Sequence, residues 1–256
     1  MPTLRLRRSR WIAVAAPLLL FAASSLVVSG DQPAEWVNAY REPASRLIGA
    51  AMSDSTAWNR LAEMTDRFGH RLAGSSSLEG AIKWAADLMR KDGFENVALE
   101  AVMVPRWVRG RESVELIEPA VEALAMLGLG GSVATPPEGI EADVLVVSSF
   151  ADLDARVAEA KGRIVLYDVP YTNYGETVRY RGAGASRAAQ HGAVAALVRA
   201  VGPVGLRTPH TGGMGYAENQ PRIPVAAISA EDSARLARLQ QRGQRIRVRL
   251  KMEARF

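Results

Sequence analysis

Four short apolar runs, set apart by helix-length segments, constrain this chain more than any other feature. "DVLVVSSF" (Asp143–Phe150), "RIVLYDV" (Arg163–Val169), "AVAALVRAV" (Ala193–Val201) and "IPVAAIS" (Ile223–Ser229) carry almost no polar alternation. Strands of that composition are buried on both faces, which requires helices to cover them. The intervening segments supply candidates. Residues 152–160 read as a short helix stopped by Gly162, and Gly182 to His191 as a helix stopped by Gly192. Ser229 caps a helix through about Gln241 that Gly243 ends. "RIRVRLKME" then alternates, with arginines outward and Ile246, Val248, Leu250 and Met252 inward. The pattern predicts a compact mixed sheet with two or three helices over roughly 118–243.

Upstream the period is helical. Pro33 to Ser53 places Trp36, Tyr40, Leu47 and Ile48 on one face, and Asp54-Ser55-Thr56 breaks that helix and caps a second, roughly 57–67. Ser76 with Glu79 has the form of a capping box, followed by Leu78, Ile82, Ala85 and Met89 at helical spacing and by Gly93 as a stop. Beyond Gly93 the period becomes two. "NVALEAVMV" reads as a strand ending at Pro105, "RWVRGRESVEL" as a hairpin turning at Arg109-Gly110-Arg111, and "MLGLGGSVATPPEGIEA" as a link.

Charge narrows the function classes. Trp11 to Gly30 is apolar, preceded by Arg5, Arg7, Arg8 and Arg10, with no acid before Asp31. A basic then apolar segment ending in small residues reads as a signal peptide cleaved near Gly30, which implies export to a periplasm or outside the cell. An uncleaved membrane anchor is the alternative. The four arginines matter for partners: without them 28 basic residues, 32 less four, face 27 acidic ones. A folded part that is nearly neutral gives nucleic acid no basic footprint.

The chain has no cysteine, and its three histidines, His70, His191 and His210, are far apart without His-x-Asp or His-Glu-x-x-His spacing. No zinc site is legible in that set, so no metal ligand and no catalytic residue is assigned. His70 reads as a loop histidine, and His191, before Gly192, as a cation at a helix C-terminus. A Gly-x-Ser-x-Gly elbow is missing too. Two segments carry polar groups without an evident structural task. "PYTNYGETVRYRG" (Pro170–Gly182) offers Tyr171 and Asn173, and "TPHTGGMGY" (Thr208–Tyr216) offers His210, Thr211 and Gly212. Loops on a rigid scaffold are where recognition groups collect, so these five are the substrate-binding candidates.

Nearly the whole sequence after the signal resembles the amino-terminal half of the carboxypeptidase Q-like (plasma glutamate carboxypeptidase-like) family 28 zinc metallopeptidases. The resemblance rests on "AMSDSTAWNRLAEMTDRFGHRLAGS", "PRWVRGRES", "LGLGGSVATPPEGI", "YTNYGETVRYR", "PHTGGMGY" and "LKMEA", in that order. It implies an α/β fold: residues 31–117 as N-terminal elements of the zinc-exopeptidase fold, an inserted protease-associated domain of mixed α+β type at 118–243, and 244–256 as a strand returning to the catalytic domain. It also implies an exported exopeptidase acting on dipeptides or peptide ends with two zinc ions, as a homodimer. The family's first ligand pair follows the segment matching "LKMEA". Every expected metal ligand and the general base therefore fall outside these 256 residues, which implies a truncated chain inactive alone. The other reading is a freestanding exported module that binds peptides or proteins.

Overall fold

A computed structural model describes residues 35–256. The expected signal, residues 1–30, lies outside the described residues, as does the start of the first expected helix. The chain divides into two units, the first ending at Asn59 and the second running from Arg60 to Phe256. In the first, α1 (Glu35–Ser53) carries Pro43 in its interior and leaves Trp36, Tyr40, Leu47 and Ile48 exposed. Asp54 Oδ1 accepts a hydrogen bond from the Thr56 amide at 2.9 Å, which starts α2 (Thr56–Phe68) where the sequence predicts.

Within the second unit, the end of α2 is tied to α3 (Ser76–Lys91). Arg60 forks onto Asp92 at 2.6 and 2.7 Å, and the Trp84 indole N–H donates to Glu63 at 2.9 Å. The cap of α3 sits one residue earlier than expected. Ser75 is the N-cap, its hydroxyl accepting from the Leu78 amide, so Glu79 stands one position too far along to close a capping box on it. Gly93 ends the helix as predicted: its φ is +88°, its amide donates to Arg90 O, and the Phe94 amide donates to Met89 O.

The expected strand at 96–104 does not form; no regular element is assigned there, and Leu99, Val102 and Met103 are exposed. Alternation alone makes no ladder, and no described strand lies alongside this segment to supply one. The hairpin at Arg109-Gly110-Arg111 is absent as well. Val108 bridges Arg255 instead, and Gly110 has no room for a side chain because a Cβ would fall 2.6 Å from Glu253 Cβ.

From Glu112 onward the chain builds one eight-stranded sheet in the order β2-β1-β8-β4-β5-β6-β7-β3. Its strands are β1 (Glu112–Glu118), β2 (Glu122–Leu124), β3 (Met126–Gly128), β4 (Ile140–Val147), β5 (Ile164–Tyr167), β6 (Ala195–Arg199), β7 (Val225–Ile228) and β8 (Arg247–Met252). The four apolar runs are β4 to β7, and they pair in parallel. β3, read from sequence as part of a link, pairs antiparallel with β7. β8 lies between β1 and β4, antiparallel to both.

Alternate residues of β4 face opposite cores. Val144 and Val146 join Leu166, Leu197, Ile228 and Leu236; Leu145 and Val147 join Val165, Tyr167 and Ala185. Leu236 comes from α7 (Ala230–Gln241), and Ala185 from α6 (Tyr174–Gln190), so a helix covers each face. Two short helices, α4 (Phe150–Ala155) and α5 (Val157–Ala160), fill the place of the single helix expected at 152–160. The fold is thus mixed α/β. Ile246, Val248 and Leu250, read from the sequence as inward-facing, are buried against β1 and β4 in the first of these cores. Each such side chain contributes roughly 1.5–3 kcal/mol by leaving water.

Candidate functional site

α6 begins at Tyr174, well before Gly182, because Asn173 accepts a hydrogen bond from the Glu176 amide at 3.0 Å and caps the helix. The early start adds two turns, which carry Tyr174, Thr177 and Arg181. Arg181 falls on the buried stripe Thr177-Arg181-Gly184-Ala188, among small residues. Only 7% of its surface is exposed. Its guanidinium donates to the Tyr174 hydroxyl at 2.6 Å and to Thr211 O at 3.3 Å.

Thr211 belongs to the long connection from β6 to β7, which is held at several points. The Gly130 amide donates to Gly212 O and the Met214 amide to Gly130 O, both at 2.9 Å. Farther along, the Tyr216 hydroxyl accepts from the Val133 amide at 3.0 Å and donates to Ile223 O at 2.7 Å; burial pushes that phenol pKa up. A Cβ at Gly212 would lie 2.6 Å from Arg181 Cζ, so any side chain there would displace the guanidinium.

Between this loop, Gly130 and the Trp107 indole lies an open cavity of about 300 Å³, bordered by Leu72 and Arg109. Much of its wall is glycine backbone. The Trp107 N–H donates to Ser132 O at 2.9 Å, and the Arg109 guanidinium stacks on the indole at 5.1 Å while pairing with Glu112 at 3.2 Å. A larger cleft of about 590 Å³ shares Trp107 and Arg109 and is bordered by His70 and Ser75 to Ser77.

Of the predicted residues, Thr211 and Gly212 line the cavity. His210 precedes them, exposed and without a hydrogen bond or ion pair among the described residues. Tyr171 and Asn173 do not line it; the Asn173 side chain is used as a helix cap. Trp107, Gly130 and Arg181 were missed. An arginine on a stripe of small residues was the readable signal for the last of them.

The chemistry on offer is recognition. An aromatic face, aliphatic groups and backbone amides suit a peptide-like ligand, and no nucleophile with a neighbouring base lines the cavity. Nor do the residues fit a pair of zinc ions. Among the described residues, no three His, Cys, Asp or Glu gather to hold a metal. His191 caps the C-terminus of α6 and lies 2.9 Å from Asp154, which also pairs with Arg187.

No protein-family model matches the chain. It is 47% identical to carboxypeptidase Q of Xenopus laevis over 221 residues, which is 85% of this chain and 47% of that protein. To human carboxypeptidase Q it is 45% identical, over 82% of this chain and 45% of that one. The chain spans about half the length of the curated relatives it matches. Among solved structures it superimposes on a peptidase M28 precursor from Shewanella amazonensis with a TM-score of 0.81 and 31% identity, covering 85% of this chain and 51% of that one. A zinc aminopeptidase from Bacillus subtilis, at 23% identity and a TM-score of 0.51 over 77% of this chain and 43% of that one, shares the fold.

Proposed function

We propose, from the premise that this chain is a carboxypeptidase Q homologue over about half of that protein's length, that it supplies the non-catalytic part of an exported zinc metallo-exopeptidase. That part joins N-terminal elements of the peptidase fold to a protease-associated type of domain. The observation that carries this reading is the agreement of sequence and fold over the same share of the chain. In the complete enzyme, two bound zinc ions would activate the attacking water. The described residues of this chain do not gather ligands for them, so the 256 residues alone are proposed to be inactive toward dipeptides. The basic and then apolar amino terminus supports export, with a membrane anchor as the other outcome of the same segment. The homodimer that the resemblance implies belongs to this proposal too.

The task of this part is to hold the end of a peptide. Zinc recognises only the scissile carbonyl and its water, so selectivity needs groups from elsewhere, and the His210 to Gly212 loop offers them. Replacing the residue aligned with His210 by alanine in a full-length carboxypeptidase Q should raise KM about tenfold, one lost hydrogen bond to a charged group, and leave zinc content intact. Unchanged KM contradicts this role.

A second reading, a freestanding peptide-binding module, is favoured by one feature. β1 and β8 pair within the sheet and bury their apolar sides, so the strands from Glu112 to Met252 need no further strand between them. Peptide binding by this chain alone supports that reading.

A further inference from the structure

Arg181 is a permanently charged group kept out of water without a counter-charge. No carboxylate lies within ion-pairing distance among the described residues, and its Nε has no hydrogen-bond partner there. Burying such a charge is costly, and two hydrogen bonds to neutral oxygens offset only part of that. An apolar side chain would fill the same place on α6 at lower cost. What the guanidinium does that an apolar group cannot is hold Thr211 O and the Tyr174 hydroxyl at once, with the Gly212 backbone packed against its plane.

We infer that Arg181 is a positioning residue that fixes the Thr211–Gly213 wall of the Trp107 cavity, so that the shape of this wall is set from α6. The wall is held from its other side by Gly130, through the amide pairings with Gly212 and Met214. The loop is therefore clamped between α6 and the β3–β4 connection, and His210 is presented next to a fixed rather than a wandering segment. The ligand class, a short peptide, rests on the reading under Proposed function; the clamp itself does not.

The test uses the full 256-residue chain and three variants. Arg181→Leu keeps a short apolar stem and removes the charge and the donors. Arg181→Lys keeps the charge but cannot span both acceptors. Gly212→Ala leaves Arg181 in place and drives a methyl into it. In all three, amide hydrogen exchange at Thr208 to Tyr216 should rise at least ~10-fold, with β5 and α7 amides unchanged. Titration with the dipeptide Ala-Phe, followed at the Trp107 indole resonance, should show the same variants binding ~10-fold more weakly than the parent. Unchanged loop exchange in Arg181→Leu and Gly212→Ala overturns the inference, as does full rescue by Arg181→Lys. If the parent chain fails to bind Ala-Phe while exchange rises as expected, the positioning role is supported and the peptide reading is contradicted.

Discussion

Asn173 and Arg181 share α6 and show what single side chains settle. The first starts the helix by accepting the Glu176 amide, and the second lies two turns into it, on the buried stripe. Removing the cap by Asn173→Ala should cost about 1 kcal/mol. In a domain of this size that lowers the melting temperature by about 2–4 °C in calorimetry; an unchanged transition would mean the cap contributes nothing. Asn173 was legible as a polar residue without a partner, and its true task was legible too, because Glu176 stands three positions on, as in the capping box sought at Ser76. Arg181 was harder to read. Its importance comes from Gly212, far away in sequence, and no local pattern reports that a Cβ at that glycine would strike the guanidinium.

β8 shows what an element adds. Its inward residues Val248 and Leu250 are buried, while Arg247 and Arg249 on the other face pair with Glu141 at 2.9 and 2.7 Å, and neighbouring Arg245 pairs with Asp143 at 3.0 Å. The bonds from Arg247 and Arg249 hold the Glu141 carboxyl below its usual range, and Arg245 does the same to Asp143. A carboxylate whose folded pKa is depressed adds stability above its unfolded pKa and loses it as pH falls through the folded value. Stability should therefore be flat from pH 7 down to about 5 and fall below about 4.5, with a smaller fall in high salt. Glu141→Gln should shrink the acid-side loss in thermal melts at pH 7, 4 and 3. An identical pH profile in that variant would remove the ladder from the account. The four parallel strands were readable because a buried strand is a local, continuous signal. β3 and the pairing of β1 with β8 were not, because each partner lies elsewhere in the chain and only tertiary contact selects it.

At the scale of the molecule, the sheet defines the protected body. Sequence placed a module at 118–243, yet β1 begins at Glu112 and β8 ends at Met252, with its side chains in the shared core. Limited proteolysis should cut between Gly93 and Arg111, where no regular strand forms, and leave a fragment from about Glu112 to Phe256. Early release of residues 244–256 would contradict that. The family was readable from ordered motifs along nearly the whole sequence after the signal, whereas the cavity beside Trp107 was not, since it draws residues from four distant segments. Under the proposed function, these 256 residues carry peptidase scaffold and recognition surface, and the zinc ligands belong to the rest of the complete enzyme. Zinc analysis of the purified chain after dialysis, paired with a dipeptide hydrolysis assay, tests it most directly. No stoichiometric zinc and no hydrolysis are expected; two tightly held zinc ions per chain, with dipeptide cleavage, would overturn the proposal.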